Sequence, residues 1–225
     1  MPPFRSIINF KMRFLRRSFG NRPFKLLDVG TGNHSASRTC AVFPRCEYYG
    51  LDLDRNYNND ERDFALMKDF YQLDLTQLDY SRIPDAYFDG IWMSHVIEHL
   101  PNGDQVLTRL VPKLKPGGHF YIEYPGRNSL RLPSMRGSLN FHDDPTHVRL
   151  YSVPELRALF EASGCEVLSC GTRRNPFYII ATPVRALHSL LTRGHVVGNV
   201  FWDILGFAEY LWVRKRTDTP HDLPQ

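Results

Sequence analysis

Leu26-Leu27-Asp28-Val29-Gly30-Thr31-Gly32-Asn33 is the stretch whose reading decides the fold. Lys25 to Val29 is largely apolar and β-prone, the pattern of a short buried strand. Two glycines two residues apart then turn the chain at once, and Ser35 is placed to cap a following helix. A strand that turns directly into a helix needs a backbone free of Cβ clashes, which glycine supplies. The helix start offers N–H groups to an anion, so the unit reads as a nucleotide cradle. Two forms of cradle fit. The dinucleotide form, G-x-G-x-x-G/A, is met loosely through Gly30, Gly32 and the small Ser35. The other form carries an acid two places before the first glycine, and Asp28 stands there; its third glycine is replaced by His34.

The 225 residues suffice for one α/β domain with a substantial core. Met1 to Gly20 has scattered arginines and no apolar core segment, so no secretory signal is expected. Four cysteines (Cys40, Cys46, Cys165, Cys170) lack CxxC pairing, which suggests reduced thiols and a cytoplasmic protein. Charge is unevenly spread. Residues 1–27 hold seven basic residues and no acid, leaving 21 basic against 24 acidic residues in the rest. Ile7, Ile8, Phe10, Phe14, Leu15 and Phe19 interleave with those cations at roughly helical spacing. A basic amphipathic arm over residues 1–24 is expected, with two readings. It could lie on an anionic membrane surface through residues 1–20, or pack over the sheet edge with its basic face solvated. Packing is the favoured reading.

Further along, Cys46 to Asp52 reads as a second strand ending in an acid. A carboxylate at that tip can accept hydrogen bonds from both hydroxyls of a ribose, with Asp54 as a weaker substitute. Phe70 to Asp74 is expected to be the third strand and Phe88 to Ser94 the fourth. His95-Val96-Ile97-Glu98-His99-Leu100 follows, then a helix lined by Val106, Leu107, Leu110, Val111 and Leu114, kinked at Pro112. Lys115-Pro116-Gly117-Gly118 stops that helix, and His119 to Tyr124 makes strand five. Pro125 to Tyr151 has no clear periodicity, and loops that long in compact domains are usually functional or disordered. Ser152 and Glu155 read as a capping box, Gly164 as a helix stop, and Cys165 to Thr172 as strand six. Pro183 to Gly206 should form two helices, the first lined by Ala186, Leu187, Leu190 and Leu191. That insertion would cap the substrate mouth or form a homodimer face. Glu209 to Arg216 is expected as a last, antiparallel strand, and Thr217 to Gln225 as a fraying tail.

These motifs in this order resemble the class I S-adenosylmethionine (SAM) dependent methyltransferases, in the broad group that includes the ubiquinone-biosynthesis O-methyltransferases. The resemblance spans about Leu26 to Lys215. It implies a Rossmann-like α/β fold over residues 25–216: a seven-stranded sheet, helices on both faces, the last strand antiparallel. It also implies SAM as cofactor, held by Asp28, Gly30, Thr31, Gly32 and Asn33 at the turn. Asp52 and Leu53 would meet the ribose, Asp74 and Leu75 the adenine, and Ser94 and His95 the end of strand four.

The sulfonium of SAM is an activated methyl donor, so holding the acceptor in line supplies most of the rate. A hydroxyl acceptor of high pKa gains from a general base. His95, His142 and His147 are the candidate catalytic residues, with Asp143 placed to orient one of the imidazoles. His95-x-x-Glu98-His99 is similar to the E-x-x-E-H cluster with which some ubiquinone-type enzymes hold a divalent ion. His95 replaces the first glutamate, a poorer arrangement for Mg²⁺, and no metal is expected. The reading is O-methylation of a small-molecule, lipid or glycan hydroxyl. Two alternatives remain open at this stage: a non-catalytic SAM-binding protein and an NAD(P)-dependent oxidoreductase. The acidic body, crossed by no basic aromatic stripe, disfavours nucleic acid as partner.

Overall fold

In the computed structural model, Phe24–Val29 forms β1, and the rest of a seven-stranded sheet is built outward from it. The structure describes residues 9–217; residues 1–8 of the expected arm and 218–225 of the expected tail lie outside the described residues. The further strands are β2 (Cys46–Asp52), β3 (Met67–Gln72), β4 (Phe88–Ser94), β5 (Leu114–Pro125), β6 (Cys165–Thr172) and β7 (Ala208–Lys215). Their order across the sheet is β3-β2-β1-β4-β5-β7-β6. β1 pairs in parallel with both β2 and β4, so the chain reverses its direction of winding at that point. In such sheets ligands sit beyond the carboxyl ends of the strands at this switch. β7 runs antiparallel to β5 and β6, as the sequence suggests.

Helices cover both faces. On one, α1 (Phe10–Phe19) and α2 (Ser35–Val42) pack with Leu26, Trp92, Tyr121 and Trp212. On the other, α4 (Gly103–Leu110) and α5 (Val153–Ala162) enclose Leu27, Ile91, Phe120 and Phe160; α3 (Glu61–Leu66) lies between β2 and β3. The packed reading of the arm fits α1. Met12, Leu15 and Phe19 are buried, Phe14 lies among Tyr121, Tyr210 and Trp212, and Lys11 Nζ stands 4.5 Å over the Trp92 ring. Residues 9–24 are thus part of the same packed body.

Several local expectations shift. Strand three begins and ends earlier, because Asp60 caps α3 with a capping box and Asp74 caps a separate 3₁₀ turn, Leu75–Gln77. Helix α4 ends at Leu110; Pro112 opens a 3₁₀ turn, since it can stand at a helix start but not inside one. The Lys115–Gly118 turn is an irregularity within β5, between the partners of Phe88 and Gly90. Ser152 makes no side-chain cap, and Glu155 pairs instead with Arg149 at 2.7 Å.

The insertion holds α6 (Pro176–Ile180), α7 (Thr182–Arg193) and α8 (Trp202–Leu205). The expected lining of α7 is reversed: Leu187, Leu190 and Leu191 are exposed, while Thr182 and Ser189 are the buried side chains. The reason is hydrogen bonding. Ser189 accepts from Val197 N–H and donates to His195 O, and Thr182 Oγ1 donates to Tyr178 O, so the polar face satisfies the next loop.

Candidate active site

Gly30 takes φ +78°, and a Cβ there would come within 2.2 Å of Val96, so both conformation and space demand glycine. Beyond it the turn is busier than expected. Gly30 and Thr31 N–H bond to Leu51 O, while Asn33 and His34 N–H are taken by Tyr57 and Asn58 carbonyls from the loop after β2. The start of α2 therefore does not offer the N–H groups of Asn33 and His34 to a ligand. Ser35 is not the helix cap either. His34 holds that place without a side-chain bond, and Ser35 Oγ donates to Asp28 Oδ2 at 2.5 Å. Tyr48 O–H donates to the same oxygen, and Thr31 Oγ1 meets Tyr48 at 2.6 Å. Buried Asp28 thus ties the turn to β2.

Asp52 stands at the tip of β2, its Oδ1 accepting Asp54 N–H at 3.0 Å. Burial raises its pKa against these backbone donors. Leu53 beside it is exposed, an apolar side chain with room for a ligand. Asp74 Oδ1 accepts from Thr76 N–H and O–H, which holds its pKa down, and Leu75 is buried behind it.

Two cavities adjoin at Asn9, Lys11 and Ser94. The first, about 160 Å³, is lined by Asp28, Gly30, Gly32, Asn33, Arg38 and Thr39. The second, about 180 Å³, is lined by Phe10, His95, Glu123, Arg173, Tyr178 and Trp202. Ser94 Oγ and Thr39 Oγ1 are buried at these walls without a partner among the described residues. Orphaned buried hydroxyls are uncommon and point to an absent ligand.

His95 adopts a left-handed φ of 55°, and both its nitrogens face carboxylates. Nε2 lies 3.1 Å from Glu123 Oε1, and Nδ1 lies 3.2 Å from Glu98 Oε1. Burial works against the imidazolium, yet the two glutamates prevail and lift the pKa to about 9. The two carboxylates thus favour the protonated imidazole, which opposes the neutral form that a base would need. Glu123 sits in a chain of charges: Arg173 Nη1 donates to it at 2.8 Å and Tyr121 O–H at 2.5 Å. Burial disfavours the Glu123 carboxylate, but Arg173 and His95 hold its pKa well below the usual range. Arg173 in turn grips buried Asp203 of α8 through Nε at 3.1 Å and Nη2 at 2.7 Å. Trp202, next to Asp203, tilts over His95 with ring centroids 4.9 Å apart.

The loop residues lie elsewhere. His142, Asp143 and His147 are not among the residues lining either cavity. His142 is exposed on a 3₁₀ turn, Phe141–Asp143. Asp143 orients no imidazole; it accepts from Ser134 and from Met135, Leu139 and Asn140 N–H, which bring its pKa down to about 2 despite burial. It organises the loop. His147 lies 2.6 Å from Phe141 O through Nδ1 and packs against His99 at 4.8 Å between centroids. Glu98, His99 and His147 each bring one ligand atom within 4.8 Å of the others, and Glu98 Oε2 has no partner among the described residues. Two imidazoles and one carboxylate suit a zinc-like cation better than Mg²⁺. His95 is outside this group, so the sequence pattern His95-x-x-Glu98-His99 is not the cluster that forms.

Glu123, Arg173, Tyr178 and Trp202 in the second cavity, and Arg38 and Thr39 in the first, are among the lining residues that sequence reasoning missed. One signal was present. A glutamate inside the apolar run His119 to Tyr124 needs a buried cation, and Arg173-Arg174 ends the next strand.

Residues 4–170 match the protein family described as "Methyltransferase domain". The chain belongs to this family. Over 85 residues it is 35% identical to a probable S-adenosylmethionine-dependent methyltransferase of Mycolicibacterium smegmatis, covering 38% of this chain and 31% of that one. Over 101 residues it is 30% identical to methyltransferase GfsG of Streptomyces halstedii, covering 44% and 36%. The matched segments thus span about a third of each relative's length. A SAM-dependent methyltransferase from Archaeoglobus fulgidus shares the fold with TM-score 0.61 at 18% identity, covering 94% of both chains. Family and fold are those of the class I methyltransferases, and the matched relative in Mycolicibacterium smegmatis is SAM-dependent by name. The oxidoreductase alternative falls.

Proposed function

We propose that this methyltransferase transfers the methyl group of SAM to a hydroxyl oxygen of a small-molecule, lipid-borne or glycan-borne acceptor. The carrying observation is the junction at Ser94, where the glycine-turn cavity meets a second cavity of aromatic and charged side chains. In this reading the amino acid end of SAM enters the first, its ribose reaches beyond that cavity to Asp52, and the acceptor occupies the second. The acceptor oxygen attacks the methyl carbon, the C–S bond breaks, and its electron pair stays on sulfur as S-adenosylhomocysteine. The hydroxyl proton leaves to solvent or to a nearby base. Trp202, Tyr178 and Phe10 offer apolar surface to the acceptor body.

The test is methylation with isotope-labelled SAM of lipid, glycan and small-molecule fractions from cell extract. A product 14 mass units heavier than its precursor, with the label on oxygen, is expected. Label found solely on nitrogen would overturn the oxygen assignment.

The pH dependence of His95 follows from its raised pKa. A pKa raised on folding contributes stability fully below about pH 6.5, lost as pH rises through about 9. Wild type and His95→Gln should therefore differ in thermal stability at pH 6 and converge near pH 9 and above. Turnover should show no ascending limb near pH 6–7 that His95→Gln abolishes. Such a limb would restore His95 as a neutral base.

A further inference from the structure

We propose that α6 and α7 form a face that docks in the plane of an anionic lipid bilayer. The helices follow each other almost without a break, since Ala181 between them stays in the right-handed helical region. Ile180, Val184, Leu187 and Leu191 recur at spacings of four, three and four, so they share one face. They are 79%, 71%, 57% and 76% exposed. The opposite face keeps Thr182 and Ser189 inside. An α-helix that turns its polar residues to the protein and a leucine stripe to solvent is reversed from the normal pattern. Contiguous exposed apolar surface of this kind marks an interaction site.

The charges choose the occupant. No acid occurs between Glu166 and Asp203, while the exposed Arg174 and Arg193 do. Arg193 and His188 flank the stripe exposed, and Arg193 has no ion pair among the described residues. Next to this segment lies α1, itself within an acid-free stretch; Arg13 Nη2 donates to Asn175 Oδ1 and its guanidinium stands 5.7 Å from the Phe177 ring. A second copy meeting this face across a two-fold axis would set Arg193 near its own copy with no acid on the face to relieve it, while Arg185 turns inward to the Val200 and Asn199 carbonyls. A bilayer with anionic headgroups accepts both the stripe and the cations, as amphipathic helices buried about 5–10 Å into the headgroup boundary do. Among the described residues no helix is long and apolar enough to cross a membrane, so docking is in-plane. The far side of the same insertion, Tyr178 and Trp202, lines the second cavity. Docking therefore brings that cavity to the headgroup level, which extends the lipid-borne reading of the acceptor.

The experiment is sedimentation of the full chain with vesicles of phosphatidylglycerol and phosphatidylcholine, against phosphatidylcholine alone. Partitioning should need the anionic lipid, fall with salt, and drop at least tenfold in the Leu187→Glu/Leu191→Glu variant. Both sites are exposed, so folding should be kept, and SAM binding by calorimetry serves as the check. The measurement needs no acceptor, so a failed search for O-methyl products leaves it intact. Binding unaffected by the double substitution would overturn the proposal. So would a dimer in solution that the substitution dissociates, combined with no vesicle binding; the stripe then meets a second copy.

Discussion

Asp203→Ala should destabilise the protein by about 3–5 kcal/mol, the cost of breaking a buried ion pair, although Glu123 remains as a second carboxylate on Arg173. Arg173 is nearly enclosed, and Asp203 takes two of its N–H groups as well as Asn175 N–H at 2.9 Å. Removing that carboxylate strands three donors at once. In thermal terms the loss is roughly 6–20 °C for a chain of this size. The consequence reaches the site. Arg173 also holds Glu123, Glu123 holds His95, and Trp202 leans on the His95 ring, so the acceptor wall should loosen with it. Replacing Asp203 with asparagine keeps the shape and part of the hydrogen bonding and should cost less than alanine. Urea unfolding of the three proteins decides the matter. A loss below about 1 kcal/mol in the alanine variant would mean the pair is solvated and the wiring of α8 to β4 is wrong.

The second large effect concerns the cofactor. Asp52→Ala should weaken SAM binding by about 1.5–3 kcal/mol, the range for hydrogen bonds to a charged group. That corresponds to roughly 10- to 150-fold in Kd. Asp52 is held at the strand tip by Asp54 N–H and is partly desolvated, which sharpens its interaction with ribose hydroxyls. Asp54 is the internal control. Its exposed carboxylate accepts Asn56 N–H in the following turn, and Asp54→Ala should change SAM affinity little. Titration calorimetry with SAM and S-adenosylhomocysteine separates them. Equal affinities for wild type and Asp52→Ala would remove Asp52 from the ribose.

The sheet was legible in the sequence because parallel strands buried on both faces appear as apolar runs, and Leu26 to Val29 and Ile91 to Met93 are such runs. The glycine turn was legible for a different reason: few residues tolerate the backbone of Gly30 and its approach to Val96. Order along the chain then placed Asp52 and Ser94 at strand tips, and the structure puts them there. The acceptor side was not legible. Glu123, Arg173 and Asp203 are 50 and 30 residues apart in sequence, and nothing local marks them as one chain of charges. Helical periodicity showed that α7 has an apolar stripe, but periodicity is blind to which side faces the protein. Only the bonds of Thr182 and Ser189 decide that. Titration follows the same division. A sequence assigns His95 its ordinary pKa, whereas the fold closes two glutamates around it and favours its protonated form, because charge interactions depend on distance through space and not along the chain.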